Sequence, residues 1–194
     1  MDKLKKNGPE EIVFQGKIFE VVKQPMKVGD KDIVFEMVRR SPGVRLFIVK
    51  DKQLLLTKEY RTELDGYDYR LPGGKVFDRL EEYLLALKKG ENILTHAKQA
   101  AKKEAVEETG INILNIYHFY TAKSGATVDW DLFYFVAEDF EELPQGQSLE
   151  LGEVIEVEWK DFSVAREMCI DGRIKEDRSV GVILKFLENK KSAE

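Results

Sequence analysis

Residues 100–111 read Ala-Ala-Lys-Lys-Glu-Ala-Val-Glu-Glu-Thr-Gly-Ile, a stretch in which good helix formers carry three glutamates. The high helix propensity of alanine, lysine and glutamate predicts a helix over residues 95–109, with Thr95 as its N-cap. Gly110 stands where a glycine commonly ends a helix. The glutamates follow the spacing i, i+3 and i+4, and they therefore share one helix face: Glu104, Glu107 and Glu108.

This acidic face costs the helix stability. Glu104 and Glu108 repel each other by a few tenths of a kcal/mol. Glu107 and Glu108 occupy the last turn, where the negative end of the helix dipole disfavours each by roughly 0.3–1 kcal/mol. Two interpretations remain open. One is a solvated acidic face that Lys102 and Lys103 partly relieve, and the other is a carboxylate cluster that binds a hard divalent cation such as Mg²⁺.

A second unusual segment, Leu71-Pro72-Gly73-Gly74, lies upstream of this helix. On its own it is an ordinary turn. Paired glycines also let the backbone approach a ligand closely and leave carbonyl groups free to coordinate it. An acidic helix that follows such a turn is much rarer by chance than either feature alone, and the combination favours the cation-binding interpretation.

The remaining periodicity predicts an α/β (α+β) fold with a mixed sheet. An amphipathic helix is predicted at 80–89 and another at 176–187, and a short helix is expected to end at Cys169. Residues 62–69 are polar and are interpreted as a loop. Strands are predicted at 17–23, 32–40, 44–50, 53–60, 113–121, 130–136 and 154–159. Trp130 is interpreted as a core residue of one of these strands.

Composition excludes several classes of protein. The chain has 194 residues, of which 43% are hydrophobic and 35% charged, so it is neither disordered by composition nor too short for one core. Its net charge of −5 argues against general nucleic-acid binding. One cysteine, Cys169, allows no internal disulfide, and no apolar run reaches the roughly 18 residues of a membrane span. We expect a cytoplasmic protein without a signal peptide.

Residues 103–111 resemble the core of the Nudix box, whose pattern is Arg-Glu-U-x-Glu-Glu-x-Gly-U, with U an aliphatic residue. Glu59-Tyr60-Arg61 and Leu71-Pro72-Gly73-Gly74 are similar to the ADP-ribose pyrophosphatase branch of that family. The resemblance implies an α/β/α sandwich with a mixed central sheet and an N-terminal antiparallel β-hairpin. It further implies a substrate-binding and dimerisation region at 1–42 and a catalytic domain at 43–194.

The chain departs from the box pattern upstream. The full box places its first glycine 14 positions before the arginine, whereas Gly74 lies 29 positions before Lys103, so about 15 residues are inserted. A helix at about 78–92 accounts for most of the insertion. The upstream glutamate of the box has no obvious counterpart, although Glu81, Glu82 or Glu91 could replace it. Lys103 stands at the arginine position and lacks the planar fork of a guanidinium group.

The resemblance implies a metal and a base. Glu104 and Glu108 would be the principal ligands of Mg²⁺ or Mn²⁺, with Glu107 assisting and the Gly73 carbonyl completing the sphere. In the family the residue at the Lys103 position orients a neighbouring carboxylate. The segment around Glu153 resembles the loop that carries the catalytic glutamate of the ADP-ribose branch. Glu150 is the reserve candidate for this base.

The resemblance also implies substrate contacts and a partner. Arg61 would contact the pyrophosphate, Phe35 would stack on the adenine and Arg40 would assist it. Residues 124–127 with the later Asp129 resemble the Ser-Pro-Gly loop of the family without its proline. In this branch the N-terminal strands pack against a second subunit, and a homodimer is therefore expected. Phe35 and Arg61 also fit a core phenylalanine and a solvated arginine.

The expected function is metal-dependent hydrolysis of ADP-ribose or a related nucleoside diphosphate sugar to a nucleoside monophosphate and a sugar phosphate. One alternative is a nucleotide-binding or regulatory module that has lost catalysis. Another is a hydrolase of a nucleoside diphosphate linked to a different group X. The small-molecule substrate is a nucleotide in each case, and no nucleic acid or membrane partner is expected.

Overall fold

The computed structural model describes residues 2–192, which form two β-sheets and four α-helices. The N-terminal sheet contains β1 (Lys5–Lys6), β2 (Glu11–Gln15), β3 (Phe19–Val28), β4 (Lys31–Arg40) and β9 (Val128–Asp129). β3 and β4 form the expected antiparallel hairpin, which turns at Gly29 with a φ of 57°. β1 and β2 pair with β3, and β9 adds a parallel strand to β4, so the hairpin is part of a larger sheet.

The central sheet has the strand order β11-β6-β5-β10-β8, with β7 pairing with β6. β10 runs parallel to β5 and the other pairs are antiparallel, which confirms a mixed sheet. Its strands are β5 (Gly43–Lys50), β6 (Gln53–Arg61), β7 (Gly66–Arg70), β8 (Ile111–Ala122), β10 (Leu132–Glu142) and β11 (Ile155–Asp161). Asp51 and Lys52 join β5 to β6 in a two-residue turn and both have positive φ, as a tight hairpin requires.

Two local predictions were wrong. Residues 62–69 are not a loop, because a 3₁₀ turn at Thr62–Leu64 is followed by β7, which pairs with the end of β6. The alternation of Tyr67 and Tyr69 was the missed strand signal. The box helix begins at Ile93, and the Asn92 side chain caps it by accepting the Leu94 N–H at 3.0 Å, so Thr95 is not the N-cap.

The helices cover both faces of the central sheet. They are α1 (Leu80–Lys88), α2 (Ile93–Thr109), α3 (Phe162–Ile170) and α4 (Asp177–Lys191). On one face α2 packs through Ala97, Ala101 and Ala105, whose small side chains bring its backbone close to β5. On the other face α3 and α4 bury an apolar core that includes Phe47 and Phe186. This is the expected α/β/α sandwich, and α1 lies within the inserted segment.

The glycine turn lies beside β5. Val44 donates its N–H to the Gly74 carbonyl at 2.9 Å, and Leu46 donates to the Pro72 carbonyl at 2.8 Å. These bonds fix residues 72–74 between β5 and the last turns of α2. Across residues 2–192, no helix combines the length and the apolar character needed to cross a membrane.

Candidate active site

A cavity of about 700 Å³ opens beside the C-terminal half of α2. Several carboxylates line it together with four arginines, here called the arginine cluster: Arg40, Arg45, Arg61 and Arg70. The predicted site residues that line the cavity are Arg40, Arg61, Gly73, Lys103, Glu104, Glu107, Glu108 and Glu153. Phe35 and Asp129 lie apart from it. Phe35 is on β4 opposite Gln24, and Asp129 is on β9 with its carboxylate 3.6 Å from Arg39 Nε.

Two carboxylates of α2 are withdrawn from water. Glu108 is 9% exposed, and its Oε2 accepts the Gly73 N–H at 2.7 Å. Burial raises the pKa of Glu108 to about 8, and the neighbouring charge of Glu104 raises it further against the opposing effect of the Gly73 hydrogen bond. Burial, and then the charge of Glu107, raise the pKa of Glu104 to about 7. Two of the three glutamates on the acidic face are therefore shielded from water.

Both glycines of the turn are needed for this arrangement. A Cβ on Gly74 would overlap the Glu104 carboxylate, and Gly74 is therefore the residue that lets the carboxylate approach the turn. Gly73 has a φ of 146°, and a Cβ there would overlap the Val44 carbonyl of β5. Glycine is the residue that adopts such a backbone conformation without strain.

The chemistry of these donors fits a hard divalent cation. Desolvated carboxylates that raise one another's pKa gain most from a nearby positive charge, and Mg²⁺ prefers such oxygen ligands. Within residues 2–192, no group of three or more acidic, histidine or cysteine side chains is arranged so that it could hold a metal ion. Lys103 Nζ lies 3.1 Å from a Glu107 oxygen, and the Gly73 N–H donates a hydrogen bond to Glu108 Oε2. Each contact uses one oxygen of its carboxylate, so both carboxylates keep lone pairs that a cation could use.

Glu153 faces the α2 carboxylates from the loop that precedes β11. Its side chain is half-buried, and its Oε2 accepts the Glu150 N–H at 3.0 Å, which holds the loop closed. Its charge contributes to the raised pKa values of Glu104 and Glu108, so the three groups lie close together. Glu150 also lines the cavity, but its side chain is exposed.

Arg61 ends β6 and lines the same cavity. Its Nη2 lies 2.5 Å from Glu59 Oε2, so the guanidinium group is anchored beside the cavity and is not freely solvated. The Arg61 Nε is buried without a hydrogen-bond partner among the described residues. A cation held in this way can contact a phosphate without reorganising.

Residues 39–177, which make up most of the chain, match the NUDIX domain. The chain belongs to the Nudix family. It is therefore a Nudix hydrolase, an enzyme class that acts on phosphoanhydride bonds.

Two further similarities agree with this family. The chain is 25% identical over 166 residues to the CMP-5'-(N-acetyl-N-hydroxy-3-aminopropyl)phosphonate hydrolase of Streptomyces rubellomurinus, a match that covers 84% of this chain and 73% of that protein. A crystal structure of an ADP compounds hydrolase superposes with a TM-score of 0.71 at 20% identity, covering 96% of this chain and 93% of that one. The second similarity shows the Nudix fold.

Sequence reasoning missed a buried ion pair beneath the glycine turn of this Nudix domain. Arg45 on β5 donates from Nε and Nη2 to the two Glu176 oxygens, at 3.0 and 2.9 Å. Its Nη1 donates to the Gly73 carbonyl at 2.8 Å, and the Ser179 hydroxyl donates to Glu176. The available signal was a lone arginine inside the apolar run 44–49, because a charge there needs a buried partner.

The Arg45–Glu176 pair predicts a specific acid sensitivity. Burial raises the pKa of Glu176, but the charge and hydrogen bonds of Arg45 and the Ser179 hydroxyl outweigh it and lower the pKa from 4.5 to about 2. The stability that Glu176 contributes is therefore present above pH 4.5 and is lost as the pH falls from 4.5 to 2. The loss is roughly 3 kcal/mol.

Glu176→Gln is the variant that tests this. It leaves the buried Arg45 charge unpaired, and we expect the free energy of unfolding at pH 7 to fall by about 3–5 kcal/mol. The difference from the unmutated chain should shrink by roughly 3 kcal/mol between pH 4.5 and pH 2 in urea titrations. Glu188→Gln on the exposed side of α4 is the control. Parallel pH profiles for Glu176→Gln and the unmutated chain would contradict the assignment.

Trp130 is not a core strand residue, and that prediction was wrong. It lies between β9 and β10, is half-buried and lines the cavity. The guanidinium carbon of Arg40 is 4.2 Å from the indole centroid, and that of Arg178 on α4 is 3.8 Å from it. The short, polar segment 123–131 does not supply the apolar neighbours that a core tryptophan needs.

Proposed function

We propose that this Nudix hydrolase is a metal-dependent pyrophosphohydrolase that cleaves ADP-ribose or a related nucleoside diphosphate sugar to a nucleoside monophosphate and a sugar phosphate. One observation carries the proposal: the carboxylates of Glu104 and Glu108 are desolvated against Gly73 and Gly74, and Glu153 faces them across one cavity. Without a cation this arrangement of carboxylates is electrostatically unfavourable. Carboxylates with strongly raised pKa values in a cleft are typical of catalytic sites.

Glu104 and Glu108 would hold Mg²⁺ or Mn²⁺, with Glu107 assisting. The Gly73 carbonyl can join them, because an oxygen that accepts the Arg45 hydrogen bond keeps a second lone pair. Such a cation neutralises charge on the phosphate oxygens during displacement. Lys103 acts here through Glu107, whose carboxylate it orients.

Glu153 would act as the general base. Its carboxylate accepts a proton from the water that attacks phosphorus, while the hydrogen bond from the Glu150 N–H holds Glu153 Oε2 in place. Arg61, anchored by Glu59, would contact the pyrophosphate. Glu153 precedes Ile155, which pairs with Glu59 across β11 and β6, so the base and the phosphate-binding arginine would lie on neighbouring strands.

The N-terminal sheet supports a homodimer. Several large apolar side chains are exposed on it in the single chain: Ile12, Val13, Phe14, Ile18 and Val34. A second copy would cover such a patch. Phe35 on the same sheet would then stack on the nucleobase at the subunit interface, whereas Arg40, five residues further along β4, lines the cavity.

Incubation of the purified protein with nucleoside diphosphate conjugates tests the activity. The panel contains ADP-ribose, ADP-glucose, UDP-glucose and, because the Streptomyces relative is named for a CMP phosphonate, a cytidine conjugate. We expect a nucleoside monophosphate to appear with Mg²⁺ or Mn²⁺ and turnover to fall to background in EDTA, with recovery on adding the metal back. Activity that persists in EDTA, or metal-loaded protein that turns over none of the panel, would contradict the proposal.

A further inference from the structure

The guanidinium groups of Arg40 and Arg178 both contact the ring of Trp130, and the three residues are together called the Trp130 stack. Both guanidinium groups pack on the indole ring, at 4.2 Å for Arg40 and 3.8 Å for Arg178. Cation–π contacts of this kind hold a planar cation against a ring. Arg40 and Trp130 line the cavity, whereas Arg178 does not.

Arg178 fixes the ring and the backbone of the stack together. Its Nη1 donates to the Ser124 hydroxyl at 2.8 Å and to the Trp130 carbonyl at 3.2 Å, and the Ser124 hydroxyl donates to the same carbonyl at 3.1 Å. Arg178 lies in the first turn of α4, where the positive end of the helix dipole disfavours a cation. The helix therefore gives up some stability to place this guanidinium group on Trp130.

Arg40 carries a charge that the protein does not neutralise. In the described part of the chain it makes no ion pair, whereas three other cavity arginines each contact a carboxylate: Arg45 with Glu176, Arg61 with Glu59, and Arg70 with Asp68. Burial, and then the positive charges of Arg178 and Arg45, lower the pKa of Arg40. A half-buried cation next to two others gains most from an anionic ligand.

The stack adjoins the glycine turn. A Cβ on Gly43 would lie 3.2 Å from the Gly74 carbonyl and 3.6 Å from the Trp130 indole nitrogen, so Gly43 separates the two by little more than its own width. A cavity of about 700 Å³ has room for much more than two phosphates. A substrate whose phosphates lie at Gly73, Gly74 and Arg61 can therefore extend to Arg40.

We infer that Arg40 binds an anionic group of the substrate other than the two bridging phosphates, a carboxylate or a further phosphate carried on the group X, and that Arg178 positions Arg40 through Trp130. The inference rests on the proposed function for the position of the phosphates. It predicts that the enzyme prefers conjugates with an acidic X over neutral sugars.

UDP-glucuronate and UDP-glucose form the test pair, because they differ only at C6 of X, where a carboxylate replaces a hydroxymethyl group. We expect the unmutated protein to bind UDP-glucuronate at least about tenfold more tightly, because hydrogen bonds to a charged group are worth that factor or more. Arg178→Met should reduce the preference to less than about twofold, and Arg178→Lys, which keeps the charge but loses the planar stack, should reduce it partly. Binding is measured in EDTA by the fluorescence of Trp130, with Trp159 replaced by phenylalanine.

Lys185→Met is the matched control. Lys185 lies on the same helix and stacks at 4.2 Å on Tyr120, away from the cavity, so its loss should leave the preference unchanged. Equal binding of the two conjugates, or an equal loss on both in Arg178→Met, would overturn the inference, since Arg40 would then serve only the shared phosphates. Preferred binding of UDP-glucuronate without turnover in Mg²⁺ would support the inference and contradict the proposed function. Turnover in Mg²⁺ without preferred binding of UDP-glucuronate would support the proposed function and overturn the inference.

Discussion

Glu108→Gln is expected to lower kcat by at least about 100-fold while the metal-free protein keeps its fold. A catalytic metal supplies several kcal/mol of charge stabilisation, and each 1.36 kcal/mol corresponds to a factor of ten in rate. The amide oxygen of glutamine can still accept the Gly73 N–H that Glu108 accepts at 2.7 Å. Because burial already raises the pKa of this carboxyl to about 8, a neutral side chain should change the metal-free stability by less than about 1 kcal/mol.

Two matched variants separate metal binding from general damage. Glu107→Gln removes a carboxylate of the same helix that is half-exposed and paired with Lys103, and we expect a smaller loss of activity. Glu188→Gln on α4 should change nothing. Isothermal titration with Mn²⁺ should show weaker binding to Glu108→Gln than to either. Undiminished turnover in Glu108→Gln, or unchanged Mn²⁺ affinity, would exclude Glu108 as a ligand.

The helix and its acidic face were predictable because their signals are local. Propensity, the spacing of Glu104, Glu107 and Glu108, and the closing Gly110 all belong to one continuous stretch, which the structure shows as α2 and its C-cap. Gly110 has a φ of 70°, which is the conformation that its position at the helix end predicted. Charges placed against the helix dipole pointed to chemistry before any tertiary contact was known.

The contacts of the arginine cluster were harder to predict because the partners are distant in sequence. Arg45 and Glu176 are separated by 131 residues, and only the packing of α4 on β5 brings them together. Trp130 resembled a strand residue because its local pattern is apolar on one side. It contacts Arg40 of β4 and Arg178 of α4, and the hydrophobic periodicity of the sequence cannot predict contacts between elements so far apart in the chain.

Glu153→Gln is expected to reduce kcat by about 10²–10⁴-fold with little change in KM. General base catalysis is worth that factor, and the amide cannot accept the proton of the attacking water. The glutamine oxygen can still accept the Glu150 N–H that Glu153 accepts at 3.0 Å, so the loop should stay in place. The measurement is steady-state hydrolysis of ADP-ribose in saturating Mg²⁺, with the monophosphate quantified directly.

Glu150→Gln decides between the two candidates for the base. The Glu150 side chain is exposed, and only the Glu150 backbone contacts Glu153, so replacement of the side chain should cost much less activity. A loss confined to Glu150→Gln would transfer the role to that residue. Equal, large losses in both variants would contradict the assignment of the base to Glu153 alone. Only a selective loss in Glu153→Gln, with Mn²⁺ binding retained, assigns proton transfer to Glu153.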